Sequence, residues 1–261
     1  MPMFNFSDIV KNKLRNFLQL RFQPSVDLLV VLVSFLVMVV GLYTAWKIDT
    51  IAGAWVPVSM FVLGVLVPIT YNSLVKNRPL SETGISKKHW KKSLLLGLII
   101  SFLLLTKPGM INVTIPSFTE LLPLLALEIT AGLFYVIFFH GWIQTRFERA
   151  FGAIPAILIA AAFFAFHHVA YSEPISFLYM GHFMGGLIHA TIFRITRNIL
   201  ILWPFIVFTT GLIYDLSLRL PFEAIYGYIG VLVSMWLFIA IVHWNQKGKK
   251  PQGNLGSDLV K

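Results

Sequence analysis

Long runs of apolar residues constrain the fold of this sequence more than any other feature. The first run, from Leu28 to Trp46, contains no charged residue. About 20 consecutive apolar residues are enough for an α-helix to cross the hydrocarbon core of a bilayer. The chain is also 57% hydrophobic and only 12% charged, about half the charged fraction of a soluble domain. The sequence therefore predicts an all-α, polytopic membrane protein.

Eight segments of this kind are predicted to span the membrane. They cover residues 28–46, 52–74, 92–106, 120–142, 154–171, 175–193, 199–217 and 223–244, and the third is the shortest. A basic amphipathic helix in residues 1–24 is predicted to lie on the membrane surface, in contact with lipid. The polar tail, residues 247–261, is predicted to be disordered. The domain prediction is thus a surface helix (1–24), spans 1–3 (25–119), a core (120–217), span 8 (218–246) and the tail.

The distribution of basic residues predicts the orientation of these spans. With eight spans, 18 of the 21 Lys and Arg residues fall on the side that carries both termini, and only Lys47, Lys107 and Arg219 fall on the other. By the positive-inside rule, both termini are cytoplasmic and the protein is a multi-pass protein of the cell membrane. The net charge of +10 follows from these loops, so it gives no reason to expect nucleic acid as a partner.

A glutamate and several histidines lie inside the predicted spans, where a charged group is costly. Glu128 and His182 are predicted at a similar depth, about 12 Å below the outer surface, with His168 nearer the outer end of its own span. His140 and His189 are predicted near the inner ends of their helices. These depths make Glu128, His168 and His182 the trio most able to converge on a metal or a proton.

A simpler interpretation remains open for each histidine. A neutral histidine that donates to a helix carbonyl or a hydroxyl needs no function, and His140, near the predicted interface, is equally suited to a headgroup or loop contact. Glu128 is harder to explain in this way, because a carboxyl at that depth must be protonated, paired or metal-bound. Gly186 shares a helix face with His182 and His189, so a neighbouring helix is expected to approach that face closely.

Three stretches of the sequence resemble one family of membrane proteins. YVIFFHGWIQTRFERAFG (135–152) resembles the first motif, Glu-Glu-x-x-x-Arg-Gly, of the CPBP family of CAAX-processing and bacteriocin-processing intramembrane metalloproteases. FFAFHHV (163–169) resembles its second motif, Phe-x-x-x-His, and aligns Phe164 and His168 with it. GGLIHATIFRITRNILILWPF (185–205) resembles the segment that follows. The resemblance implies a CPBP-like helical bundle with its core in residues 120–217.

The sequence departs from the family at the residues that carry the chemistry. Tyr135 and Val136 stand where the resemblance places the paired glutamates, and His140 stands where it places the arginine. The third motif histidine is missing from PFIVFTTG (204–211). In the family, the first glutamate is thought to activate the water that hydrolyses the peptide. Of that set, only His168 carries over.

The resemblance therefore leaves alternatives open. In the first, the chain is a metal-dependent endopeptidase with a rearranged site, in which a divalent metal, expected to be zinc, is held by His140, His168 and His182, and Glu128 is the general base. In the second, it is a non-catalytic binding or immunity protein on the same fold. A proton-coupled transporter is a third. For the peptidase, the expected partner is a membrane-embedded or membrane-proximal peptide or protein substrate.

Overall fold

The computed structural model describes residues 17–47, 56, 58–87, 89–105, 117–171, 178–208, 220 and 222–248. Within these ranges every regular element is helical and none is a β-strand, which confirms the all-α prediction. Most of the predicted surface helix and of the predicted tail lies outside the described residues, so those two predictions stand as made.

A described helix lies on each predicted span, and the helices are labelled here in chain order. α1 covers Val26–Lys47, α2 Val58–Val75, α3 Trp90–Leu105, α4 Phe118–Phe151 and α5 Ala153–Phe166. α6 begins as the π-helix Leu178–Phe183 and continues as the α-helix Met184–Thr196. α7 covers Ile199–Ile206 and α8 covers Ala224–Gly248.

Several of these helices have the length and composition of membrane spans. Among the described residues five helices qualify, namely α1, α2, α4, α5 and α8. α3 has 16 residues, in agreement with the short third span that the sequence predicts. The membrane class follows from these helices, whereas the count of eight spans and the orientation of the termini remain predictions.

The long helix α4 lies at the centre of the bundle. It has 34 residues, which at 1.5 Å per residue gives a length of about 51 Å. It starts at a capping box, in which the Ser117 amide donates to Glu120 Oε2 at 2.9 Å. It ends at Gly152, whose φ of +94° is accessible to glycine and strained for other residues. Because α4 contacts α1, α2, α5, α6, α7 and α8, it positions side chains toward six of the other helices.

The middle of α4 departs from α-helical geometry. Residues Val136–Gln144 form a π-helix, and all nine are buried. Segments of π-helix are rare and are frequent at functional sites. Gly141 lies in this segment, where a Cβ atom would meet the carbonyl oxygen of Thr83 at 2.4 Å. A glycine at this position therefore allows the turn before α3 to pack directly on the π-helix.

α5 and α6 pack closely against each other. A Cβ atom on Gly186 would lie 2.9 Å from the Cα atom of Ala161, so the two backbones are nearly in contact. The sequence predicts this close approach from the small residues on the histidine face of α6, and the structure confirms it. As a consequence, the histidines that follow α5 come close to those on α6.

Ion pairs connect the helix ends on the lysine-rich side of the bundle. Glu148, near the end of α4, forms an ion pair with Arg194, whose Nε atom lies 3.0 Å from Glu148 Oε1, and also pairs with Arg197 after α6. Asp27 at the start of α1 pairs with Arg78 at 2.6 Å. These contacts fix the end of α4 to α6 and the start of α1 to the loop that follows α2.

Candidate functional site

The structure arranges four membrane histidines in two buried pairs. The rings of His168 and His182 stack with their centroids 3.4 Å apart and their planes at 9°. The rings of His140 and His189 lie 6.1 Å apart at 83°. All four residues are at most 9% exposed. Two histidine layers result, one formed by His168 and His182 and the other by His140 and His189.

His167 and His168 lie in a 3₁₀-helix and contact different neighbours. α5 ends at Phe166 and is followed by a 3₁₀-helix, His167–Tyr171, in which successive side chains diverge by about 120°. His167 faces α4, and its Nδ1 donates to the carbonyl of Phe164 at 2.5 Å. His168 faces His182 of α6 instead. Both histidines are thus buried and in contact with the core.

Tyr135 and Val136 stand at the motif positions that the resemblance assigns to glutamates. The Tyr135 ring lies 5.2 Å from the ring of His167 and 5.5 Å from that of Phe164. Tyr135 is partly exposed, whereas Val136 is fully buried. The direct ring contact of position 135 is therefore with His167, and His168 is the next residue along. These two positions place a phenol and a branched alkyl group where the family pattern has carboxylates.

His140 takes part in a buried hydrogen-bond network that ties α4 to α6. Gln144 Nε2 donates to the carbonyl of Ala190 at 2.7 Å, so its Oε1 is the acceptor for His140 Nδ1 at 3.0 Å. This assigns the proton of His140 to Nδ1 and leaves a lone pair on Nε2, which has no hydrogen-bond partner among the described residues. His140 is 0% exposed, so the alternative of a headgroup contact is wrong. The residue lies in the π-helix Val136–Gln144, all of which is buried.

Phe164, the phenylalanine of the second motif, contacts both histidine pairs. Its ring centroid lies 5.6 Å from those of His168 and His189 and 6.2 Å from that of His182. Phe164 is thus an apolar contact that the two layers share.

Glu128 lies on α4 in a different environment. It is 3% exposed and within electrostatic range of Tyr228 on α8. Its near neighbour Thr130 donates through Oγ1 to the carbonyl of Tyr228 at 3.1 Å. These contacts orient this part of α4 toward α8, whereas His168 and His182 belong to the contact between α5 and α6.

The described residues do not fit a resident zinc ion. Zinc requires three or four ligand atoms that converge on one point. Nitrogen lone pairs lie in the plane of the imidazole ring, so the parallel rings of His168 and His182 direct them along separate planes. His140, the third predicted ligand, pairs with His189 in the other layer. Over the ranges given above, no group of three or more His, Asp or Glu side chains has the arrangement of a metal site.

Sequence reasoning did not find three of these features. They are the contact between His167 and Tyr135, the pairing of His140 with His189, and the role of Gln144. A signal for the last was available, because Gln144 follows His140 by four residues and such pairs are neighbours on a helix surface. The other two depend on how α5 and α6 are rotated, which local spacing does not define.

The fold and site define an all-helical membrane-type bundle with histidines buried where the central helix becomes a π-helix. Comparison with protein families then specifies the core further. Residues 116–209 match the family model described as type II CAAX prenyl endopeptidase Rce1-like. The resemblance to the CPBP family is thereby confirmed for this segment, which contains α4, α5, α6 and α7. Searches of curated proteins and of solved structures each found no match.

Proposed function

We propose that the chain is a CAAX-protease-like membrane protein that binds a membrane-embedded or membrane-proximal peptide or protein without hydrolysing it. The observation that carries the proposal is the pair Tyr135 and Val136 at the position of the catalytic carboxylates. In the family pattern these carboxylates supply the group that takes a proton from water. A phenol with a pKa near 10 is protonated at neutral pH, and a valine has no titratable group.

The histidines do not replace the missing base in this arrangement. His140 is 0% exposed, so water has no access to the lone pair on its Nε2 atom. His168 is 9% exposed and packed against His182. Loss of a general base commonly costs about 10²–10⁴ in rate. The contacts at the site thus support binding more strongly than hydrolysis.

The side chains at the site are suited to hold an apolar ligand that carries a few polar groups. Tyr135 presents a partly exposed ring and a hydroxyl that both donates and accepts hydrogen bonds. Phe139 and Phe164 contact it at 6.1 and 5.5 Å. Sites for small ligands are typically apolar with a small number of placed polar groups. A peptide inside a membrane also needs partners for its backbone.

A peptidase with a rearranged site is the second candidate, and the burial of Glu128 favours it. A carboxyl that is 3% exposed within a membrane helix must be protonated, paired or metal-bound, and each of these states is compatible with a general base. Glu128 and Tyr135 are seven residues apart on the α-helical part of α4, about 10 Å along the axis. Hydrolysis by Glu128 therefore requires a site beside α8, separate from the one that the motifs define.

The experiment compares binding and cleavage of one labelled peptide by the purified protein in lipid nanodiscs. A farnesylated CAAX peptide and its unprenylated counterpart are titrated, with binding followed by fluorescence anisotropy and cleavage by mass spectrometry, with and without added zinc. We expect wild-type protein to bind the farnesylated peptide without cleaving it. Tyr135→Ala should weaken binding about tenfold, whereas Tyr226→Ala, an exposed tyrosine on α8, should not.

Two variants separate the candidates. Tyr135→Glu combined with Val136→Glu and His140→Arg rebuilds the family motif. Cleavage by this triple variant would show that the fold binds the peptide in a position that allows hydrolysis. Wild-type cleavage that is lost in Glu128→Ala would establish the rearranged peptidase and overturn the binding proposal. Failure of wild type to bind either peptide would also contradict it.

A further inference from the structure

A large apolar cavity lies outside the histidine site. It measures about 660 Å³ and lies between α3, α7 and α8. Four of the seven tryptophans of the chain line it, namely Trp90, Trp203, Trp236 and Trp244. Tryptophan is enriched where a membrane protein meets the membrane–water interface. The volume is in the range of sites that hold small organic ligands.

One end of this cavity is positively charged. Lys87, just before α3, and Lys247, in the last turn of α8, line it together with His243. Both lysines lie within electrostatic range of His243. The Nε2 atom of His243 has no hydrogen-bond partner among the described residues. The described residues that line the cavity include no aspartate or glutamate, so no acidic side chain of this lining neutralises the lysines.

We propose that this cavity binds an anionic phospholipid, with an acyl chain against the tryptophans and the phosphate between Lys87 and Lys247. Basic pockets between membrane helices on the positively charged side are suited to anionic headgroups. A phospholipid combines the long apolar body and the single negative group that the two ends of the cavity require. A zwitterionic lipid fits the apolar part but gains less from the lysines, because its own cation opposes them.

The proposal is tested by quenching of tryptophan fluorescence with brominated lipids. The full-length protein is placed in nanodiscs of phosphatidylcholine that contain increasing fractions of brominated phosphatidylglycerol or brominated phosphatidylcholine. We expect the quenching to contain a saturable component. Half-saturation should need about a tenfold lower fraction of brominated phosphatidylglycerol than of brominated phosphatidylcholine. Lys87→Ala combined with Lys247→Ala should remove this preference.

A matched control removes the same charge outside the cavity. Arg21→Ala combined with Lys92→Ala changes two exposed cations that do not line it, and this variant should keep the preference. Native mass spectrometry should likewise show phosphatidylglycerol retained by wild type and by the control but not by the cavity variant. If the double cavity variant does not fold, Lys87→Gln alone, in the loop before α3, should lower the preference several-fold.

Two results would overturn the proposal. Equal quenching by both lipids, unchanged in the cavity variant, would mean that the tryptophans report only the surrounding bilayer. Saturable quenching by phosphatidylglycerol that appears only after residues 249–261 are removed would mean that the polypeptide tail, and not a lipid, occupies the cavity in the full-length protein.

Discussion

His168 and His182 stack face to face, with their ring centroids 3.4 Å apart. The planes of the two rings differ by only 9°, so the ring nitrogens lie in two nearly parallel planes. The pair forms a tightly packed contact between the 3₁₀-helix after α5 and the start of α6.

The first prediction concerns metal content. The ring planes of His168 and His182 do not converge, and His140 pairs with His189. We therefore expect less than one equivalent of zinc per purified chain after dialysis against buffer that contains trace zinc. Inductively coupled plasma mass spectrometry measures this directly. One equivalent of zinc that disappears in His168→Ala would contradict the prediction and revive the metal site.

The second prediction concerns the network at Gln144. Gln144→Leu leaves the buried Nδ1–H of His140 without its acceptor and removes the bond to the Ala190 carbonyl. Leaving a buried polar group unsatisfied costs about 1–3 kcal/mol, so the apparent thermal stability in detergent should fall by several degrees.

A control for this variant lies on α6. Thr191→Val removes only the bond from Thr191 Oγ1 to the Leu187 carbonyl of the same helix, at 2.7 Å. Its effect should stay within about 0.5 kcal/mol. Equal losses of thermal stability in the two variants would mean that the Gln144 network between α4 and α6 stabilises the protein no more than a hydrogen bond within one helix.

The third prediction contrasts two glycines. In Gly141→Ala the new methyl group meets the Thr83 carbonyl oxygen at 2.4 Å, so the π-helix and the preceding turn must separate at a cost of about 1–3 kcal/mol. In Gly230→Ala nothing lies within 4 Å, and the helix propensity of alanine should stabilise α8 by up to about 1 kcal/mol. The midpoint temperature of unfolding should therefore fall in Gly141→Ala and rise in Gly230→Ala. A Gly141→Ala variant that is more stable than wild type would refute the close packing at Thr83.

The fourth prediction concerns topology. The 18 basic residues on one side predict that both termini are cytoplasmic. Reporter fusions at the C-terminus and at residue 110 should report opposite sides of the membrane. Identical signals from the two fusions would mean that a span has been miscounted.

The sequence predicts the helical framework well because hydropathy is a local property. The described helices lie on the predicted spans, and the close approach at Gly186 was readable from small residues on one helix face. The shift of Val136–Gln144 into a π-helix was not predictable, because hydropathy does not distinguish a π-helix from an α-helix. The family resemblance was also predictable, because residues 135–152 and 163–169 keep the spacing of the motifs.

The arrangement of the site was harder to predict because it depends on the rotation of helices about their axes. Depth along each helix placed His140 and His189 near the same ends of their helices, but it did not predict that their rings pair. Depth alone also placed Glu128 with the outer layer, yet Glu128 lies beside Tyr228 of α8. Helical depth fixes one coordinate of a side chain, and tertiary packing fixes the other two.

The position of Phe164 has a consequence for proton movement. A proton travels through a protein along a chain of groups that donate and accept hydrogen bonds, and a phenyl ring offers neither function. Phe164 contacts both histidine pairs, so a proton cannot pass from one pair to the other through this ring. A hydroxyl or an amide at position 164 would place a donor and an acceptor between the two pairs instead.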